Sequence, residues 1–220
     1  MMERIIYPYR FEIFFYSQII ILFGSLIIPP ILFENFVSPI LFQVNILAGV
    51  LLLFKKKKLM WFLIFLLIIT SIIISTNILN HTEKGILNFF KMSAYFLFYI
   101  IVTFQLIKQV WKSKRVGKNV IFGLISGYIS LGLIGFFICM TIEMITPGSF
   151  QGFREGISLT ENIMYYSYIT LLTIGYGEVL PITSLAQKSA ILIGLTGQMY
   201  LVVVTAIVVG KYVNQVSKDN

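Results

Sequence analysis

Long apolar runs alternate with short polar breaks along most of the chain, at roughly 11–33, 39–54, 59–79, 89–110, 120–143 and 187–210. Crossing about 30 Å of hydrocarbon takes about 20 helical residues, so each run predicts one membrane-spanning helix. The second run is short, and lysines at its inner end extend their stems to the interface. Pro29 and Pro30 predict a kink or an end near the close of the first. A further stretch, Ser158 to Leu172, is moderately apolar but too short to cross. About 13 helical residues reach only about 20 Å, so this piece must enter the membrane and return. Ser158-Leu159-Thr160-Glu161 fits a capping box that starts a helix near Leu159. Its carbonyl end, near Leu172, would then carry partial negative charge into the membrane centre. The expected fold class is an all-α membrane protein, with six transmembrane helices and a re-entrant helix between the last two.

Charge orients this arrangement. Of the 17 basic residues, 13 fall on one side if both termini share it: Arg4, Arg10, Lys55 to Lys58, Lys108, Lys112, Lys114, Arg115, Lys118, Lys211 and Lys218. Basic loops remain cytoplasmic, so both termini are expected inside. Lys84, Lys91, Arg154 and Lys188 are left at or near the outer side, together with Glu34, Glu83, Glu143, Glu155, Glu161 and Glu178. Around a pore mouth such carboxylates would concentrate cations; for Glu34 and Glu83 the simpler expectation is solvation in loops. Hydrophobic residues make up 58% of the chain and charged ones 12%, about half the share in a soluble domain. The net charge of +8 does not point to nucleic acid, because the basic residues cap apolar segments instead of sharing a polar face. Arg4 and Arg10 before an apolar run superficially match a signal peptide, but the run is too long and has no small-residue cleavage site. A lone Cys139 excludes an intrachain disulfide and is expected to be a small buried apolar group.

The densest chemical signal is residues 170–181, Thr-Leu-Leu-Thr-Ile-Gly-Tyr-Gly-Glu-Val-Leu-Pro. Gly175 and Gly177 permit backbone angles that a side chain forbids, so successive carbonyls can point one way. Carbonyls of Thr173, Ile174, Gly175 and Tyr176, with the Thr173 hydroxyl, would form stacked oxygen rings if four chains surrounded an axis. Such rings replace the hydration shell of K⁺. At these residues the chain resembles the potassium channel family, specifically over about 120–212 and only in topology over 1–119. The resemblance implies a homotetrameric, passive, K⁺-selective pore, with 1–119 a four-helix region, 120–212 the pore domain and 213–220 a short cytoplasmic tail. It places the selectivity filter at Thr173, Ile174, Gly175, Tyr176 and Gly177. It gives Tyr165 and Tyr166 the place of an aromatic cuff whose hydroxyls bond near Tyr176 or Glu178; the alternative is ordinary interfacial tyrosines. Glu178 stands where the family usually has aspartate. Gly197 falls at the family's hinge position, although Gly194 and Gly197, like Gly123 and Gly127, also suit close helix packing.

Gln198, Leu201, Thr205 and Val209 recur at helical spacing and predict a stripe lining the inner cavity and gate. The fourth run carries only Lys91 before Lys108, so the regular arginines of a voltage sensor are missing and steep voltage dependence is not expected. Gln18, Gln43, Asn45 and Asn77 either join helices or line a small aqueous pocket. His81 is placed in an outer loop. The patches Lys55 to Lys58 and Lys108 to Lys118 serve as orientation signals, with anionic headgroups as candidate lipid partners. No cofactor is expected beyond K⁺ as the permeant ion, and no His/Asp/Glu cluster or phosphate loop indicates an enzyme. The expected location is the cell membrane; Ile-, Phe- and Lys-rich usage fits a bacterium. A non-selective cation channel and a non-conducting membrane sensor or scaffold are the alternatives.

Overall fold

The computed structural model describes residues 6–29, 32–80, 85–113 and 115–219. Arg4, Pro30, His81, Glu83, Lys84 and Lys114 lie outside the described residues. Helix α1 is Arg10–Phe23 and α2 is Ser38–Leu52, the latter continuous with a π turn at Phe33–Val37. Then come α3 (Lys57–Asn80), α4 (Gly85–Lys112) and α5 (Lys118–Ile145). A two-residue strand β1 (Phe150–Gln151) precedes the short helix α6 (Leu159–Leu171). Strand β2 (Leu180–Pro181) leads into α7 (Ser184–Met199), a π turn at Tyr200–Val204, and α8 (Thr205–Asp219).

Four helices among the described residues are long and apolar enough to cross a membrane: Lys57–Asn77, Gly85–Lys112, Lys118–Ile145 and Ser184–Ser217. With these helices the chain is a membrane protein. The first predicted span is corrected. Its helix stops at Phe23 after 14 residues, about 21 Å, and a 3₁₀ turn at Gly24–Leu26 follows. The break comes before Pro29, because Gly24 lies against the Phe33 ring, only 2.5 Å from where a Cβ would sit. The second span starts earlier than expected, in the π turn at Phe33–Val37, and so gains length at its outer end.

Helix α5 is the hub of the fold, packed against α1, α4, α6 and α7. Its Phe136, Phe137 and Leu133 are fully buried beside Phe14 of α1 and Phe98 and Tyr99 of α4. Phe42 stacks on Tyr95 at 5.0 Å, and Tyr99 on Phe137 at 5.6 Å. Offset ring pairs of this kind add to simple area burial.

Polar side chains join these helices. Gln18 Nε2 donates to Ser130 Oγ at 2.7 Å, Asn45 Nδ2 to Ser17 Oγ at 2.7 Å, and Tyr99 OH to Asn45 Oδ1 at 2.7 Å. Gln43 Nε2 donates to Tyr95 OH and Asn77 Nδ2 to Asn88 Oδ1. The four polar residues left open by the sequence therefore make helix contacts, as expected where hydrocarbon offers no competing partner.

Candidate functional site

The site is built on α6, which lies in a groove of α5. Gly132 supplies the groove: a Cβ there would meet the Tyr168 ring at 2.3 Å. Ser167 Oγ then donates to Gly132 O at 2.7 Å and Tyr168 OH to Ile129 O at 2.7 Å. At the lower end Tyr128 OH donates to Leu171 O at 3.3 Å, and Gly197 of α7 closes the other side. A Cβ at Gly197 would lie 2.6 Å from Leu171 O, so this glycine permits close packing under the short helix.

Both ends of α6 are fixed. Ser158 takes the N-cap and accepts from the Glu161 N–H at 3.1 Å, as the capping box predicts. Its own hydroxyl donates to Glu34, at the outer end of the α2 segment. Glu34 is thus bonded at a helix N-terminus, where negative charge is favourable, and is not simply a solvated loop carboxylate. Asn162 fastens the preceding loop: its Oδ1 accepts from Arg154 N at 3.1 Å and its Nδ2 donates to Ile157 O and Ser158 O.

After α6 the backbone alternates. Thr173, Gly175 and Gly177 have φ of 57°, 56° and 90°, whereas Ile174 and Tyr176 stay at negative φ. Alternating hands turn successive peptide planes so that the carbonyls of a nearly extended run can face one way, whereas in a regular strand they alternate sides. Glycine adopts these angles freely; Thr173 is β-branched and strained there, a feature that clusters at functional sites. The turn is held to α6 by Thr173 N–H to Thr170 O at 3.1 Å and Ile174 N–H to Ile169 O at 2.9 Å. Gln198 Nε2 reaches Thr173 Oγ1 at 3.3 Å, so α7 touches the start of the loop. Tyr176 is 75% exposed in the single chain, as are most of its loop neighbours to lesser degrees.

The loop is braced from behind. Tyr165 OH donates to the Glu178 carboxylate. Tyr166 differs from expectation: it is buried against Phe150, with ring centroids 5.1 Å apart, and its place is core packing. Strands β1 and β2 pair antiparallel, Phe150 opposite Pro181 and Gln151 opposite Leu180. Gly152 lies so close that a Cβ would be 1.8 Å from Glu178 O. Glu143, buried at 8% exposure, accepts from Gly148 N at 2.7 Å and Phe150 N at 3.1 Å, so it staples this outer loop and does not line a mouth.

Residues 123–214 match the family model described as "Ion channel". This segment is an ion-channel domain. No curated protein and no solved structure matches the chain. A channel domain supports passive movement of ions and is not an enzyme class.

Within the channel domain the inner helix carries the residues predicted for the cavity. Gln198, Leu201 and Val209 are exposed and Thr205 is half-buried. A π turn at Tyr200–Val204 interrupts the helix three residues after Gly197. Such turns are rare and are frequent at functional sites. In and just after it, Tyr200 OH donates to Leu124 O at 2.6 Å, and Val204 and Val208 pack with Val110 and Val120. Farther on, Lys211 Nζ donates to the final carbonyls of α4: Val110 O at 3.5 Å, Trp111 O, and Ser113 O at 3.0 Å. Gln215 Oε1 accepts from Val116 N at 2.9 Å. A cation at a helix C-terminus satisfies orphan carbonyls and complements the helix dipole.

Basic residues also converge at this end. Lys56 Nζ donates to Gln105, and desolvation, then Lys108 and Lys112, push its ammonium below the ordinary lysine value. Sequence reading missed Asn162, Tyr168, Gly152 and Lys211. Tyr168 and Gly152 gave no local signal, whereas Lys211 in an amphipathic helix end was visible only as a surface charge.

Proposed function

We propose that the chain is one subunit of a potassium-selective channel that conducts K⁺ passively through a pore formed by four copies. The observation that carries this reading is the alternation of left-handed φ at Thr173, Gly175 and Gly177, placed directly at the carbonyl end of a short re-entrant helix. Four such loops about an axis would present rings of oxygens from Thr173, Ile174, Gly175 and Tyr176, with the Thr173 hydroxyl at the lowest ring. Gly177 turns the chain out of the filter, and the Tyr165–Glu178 contact holds its outer end. Four α6 carbonyl ends would add negative potential beneath it.

Assembly is supported by the apolar residues that α7 leaves exposed in one chain, including Leu185, Ile191, Leu192, Leu195 and Met199. A contiguous patch of that kind marks a surface made for a partner or for lipid. In the assembled pore Gln198, Leu201, Thr205 and Val209 line the cavity, and the lower apolar part forms the gate by excluding water. Gly197 is a packing contact, and the π turn beside it is the bending point.

The proposed topology has six crossings with both termini cytoplasmic, in the cell membrane of a bacterium: α1, lengthened by the 3₁₀ turns Tyr7–Tyr9 and Gly24–Leu26 at its two ends, forms the first, and the α2 segment the second. Lys55 to Lys58 and Lys108 to Lys118 rest against anionic headgroups. The deciding experiment is ion flux through purified protein in liposomes. K⁺ flux that exceeds Na⁺ flux by orders of magnitude, and that Ba²⁺ blocks, is expected. Equal Na⁺ flux would assign a non-selective pore; no flux of either ion would assign a sensor or scaffold.

A further inference from the structure

Beside the filter's support lies a cavity of about 340 Å³, between the outer end of α1, the π turn before α2, and α6. Its volume is at the lower end of the range for small-molecule sites. Ile21, Leu22, Phe23, Phe33, Met164 and Leu172 give it apolar walls. Its charged lining groups among the described residues are Glu34 and Glu161, with no lysine or arginine. Tyr165 and Tyr168 also line it.

We propose that this cavity binds an amphiphilic ammonium compound: one apolar chain between the walls, and an amine or quaternary ammonium head at the two carboxylates. Each part of that chemistry has its counterpart. An alkyl chain leaves water for an apolar pocket. A cation gains from two carboxylates, whereas an anionic head would be repelled by both. Glu34 spends one lone pair on Ser158 and keeps acceptor capacity for the N–H groups of a protonated amine, while a quaternary head, which has no N–H, is held by charge alone. Tyr165, a wall of the cavity, also donates to Glu178, so the occupant would touch the brace of the filter loop. The site stands on its lining and does not rest on potassium selectivity.

Tryptophan quenching tests it. Phe23→Trp places a reporter in the wall, while the natural Trp61 and Trp111 begin α3 and end α4, at the end of the bundle where Lys56 meets Gln105. The full chain in liposomes is titrated with bromodecyl-trimethylammonium and, separately, with bromodecanol. Saturable quenching of the new reporter is expected at about tenfold lower concentration for the ammonium than for the alcohol. Glu34→Gln with Glu161→Gln should remove that preference. If the double variant does not assemble, Glu161→Gln alone, on the exposed first turn, must reduce it. Linear quenching equal at all three tryptophans means bilayer partition and overturns the proposal. Equal saturation by the quaternary ammonium and the alcohol overturns the charge recognition. A reporter quenched by neither probe means that a second copy of the chain covers the cavity, which also overturns it.

Discussion

Replacing Gly175 by alanine tests the filter through its backbone alone. Gly175 sits at φ 56°, and a Cβ built there meets no heavy atom within 4 Å. Steric collision within the chain therefore contributes nothing, and the penalty is that of a left-handed L-residue, about 1–2 kcal/mol. Four copies around one axis would sum to about 4–8 kcal/mol against the conducting geometry. At about 1.4 kcal/mol per factor of ten, the conducting population falls by roughly 10³- to 10⁶-fold. The assay is K⁺ flux from liposomes, with assembly followed by cross-linking. Gly85→Ala is the matched control, since a Cβ at Gly85 also meets nothing and its φ is not positive. Flux of Gly175→Ala within threefold of wild type, with assembly unchanged, would refute the assignment of the filter. An equal loss in Gly85→Ala would refute the backbone explanation.

Further expectations follow from neighbouring contacts. Gly132→Ala would set a methyl 2.3 Å from the Tyr168 ring; overpacking of this kind costs about 1–3 kcal/mol, and a lower thermal midpoint in detergent checks it. Tyr165→Phe and Glu178→Leu should each reduce the K⁺/Na⁺ flux ratio, and the double variant should lose no more than either, since both remove one contact. Additive losses would separate the two residues. Lys211→Met removes the donor from the last carbonyls of α4, a loss of about 1–2 kcal/mol for a charge at a helix C-terminus. Amide exchange over 205–217 should then quicken by roughly tenfold, with α3 unchanged as the internal reference.

The short helix α6 was readable because its signals are local. Ser158 and Glu161 mark the start. The left-handed Gly175 and Gly177 were readable for the same reason, since only glycine takes such angles freely. Thr173 was not: its positive φ is imposed by Ile174 and Gly175 bonding back to Ile169, a constraint that appears only when the turn is folded. Tyr165 and Tyr166 look alike in sequence, yet one residue along a helix rotates a side chain by about 100°. One therefore faces Glu178 and the other Phe150. Glu34 and Lys211 read as surface charges, because their partners lie 124 and about 100 residues away in sequence. The first helix ends earlier than its apolar run for a different reason. Apolar composition continues past Phe23, so hydropathy alone cannot see that Gly24 and Phe33 must meet.

Those two distant contacts fix how the N-terminal helices act on the channel domain. Helix α5 alone would join them as a single shared wall, around which the rest could rock. Instead, Glu34 holds the outer start of α6, and the end of α4 is held by Lys211 from the inner helix. The N-terminal region is thus tied to α6 at one end and to α8 at the other. If α1 and α2 shift relative to α5, the Glu34–Ser158 contact carries the shift to the α6 N-terminus, and if α4 shifts, Lys211 carries it to α8. Coupling of this form needs no charged sensor helix. Any stimulus that changes the relative energy of two packings of α1–α4 is transmitted, in proportion to its differential interaction with the two.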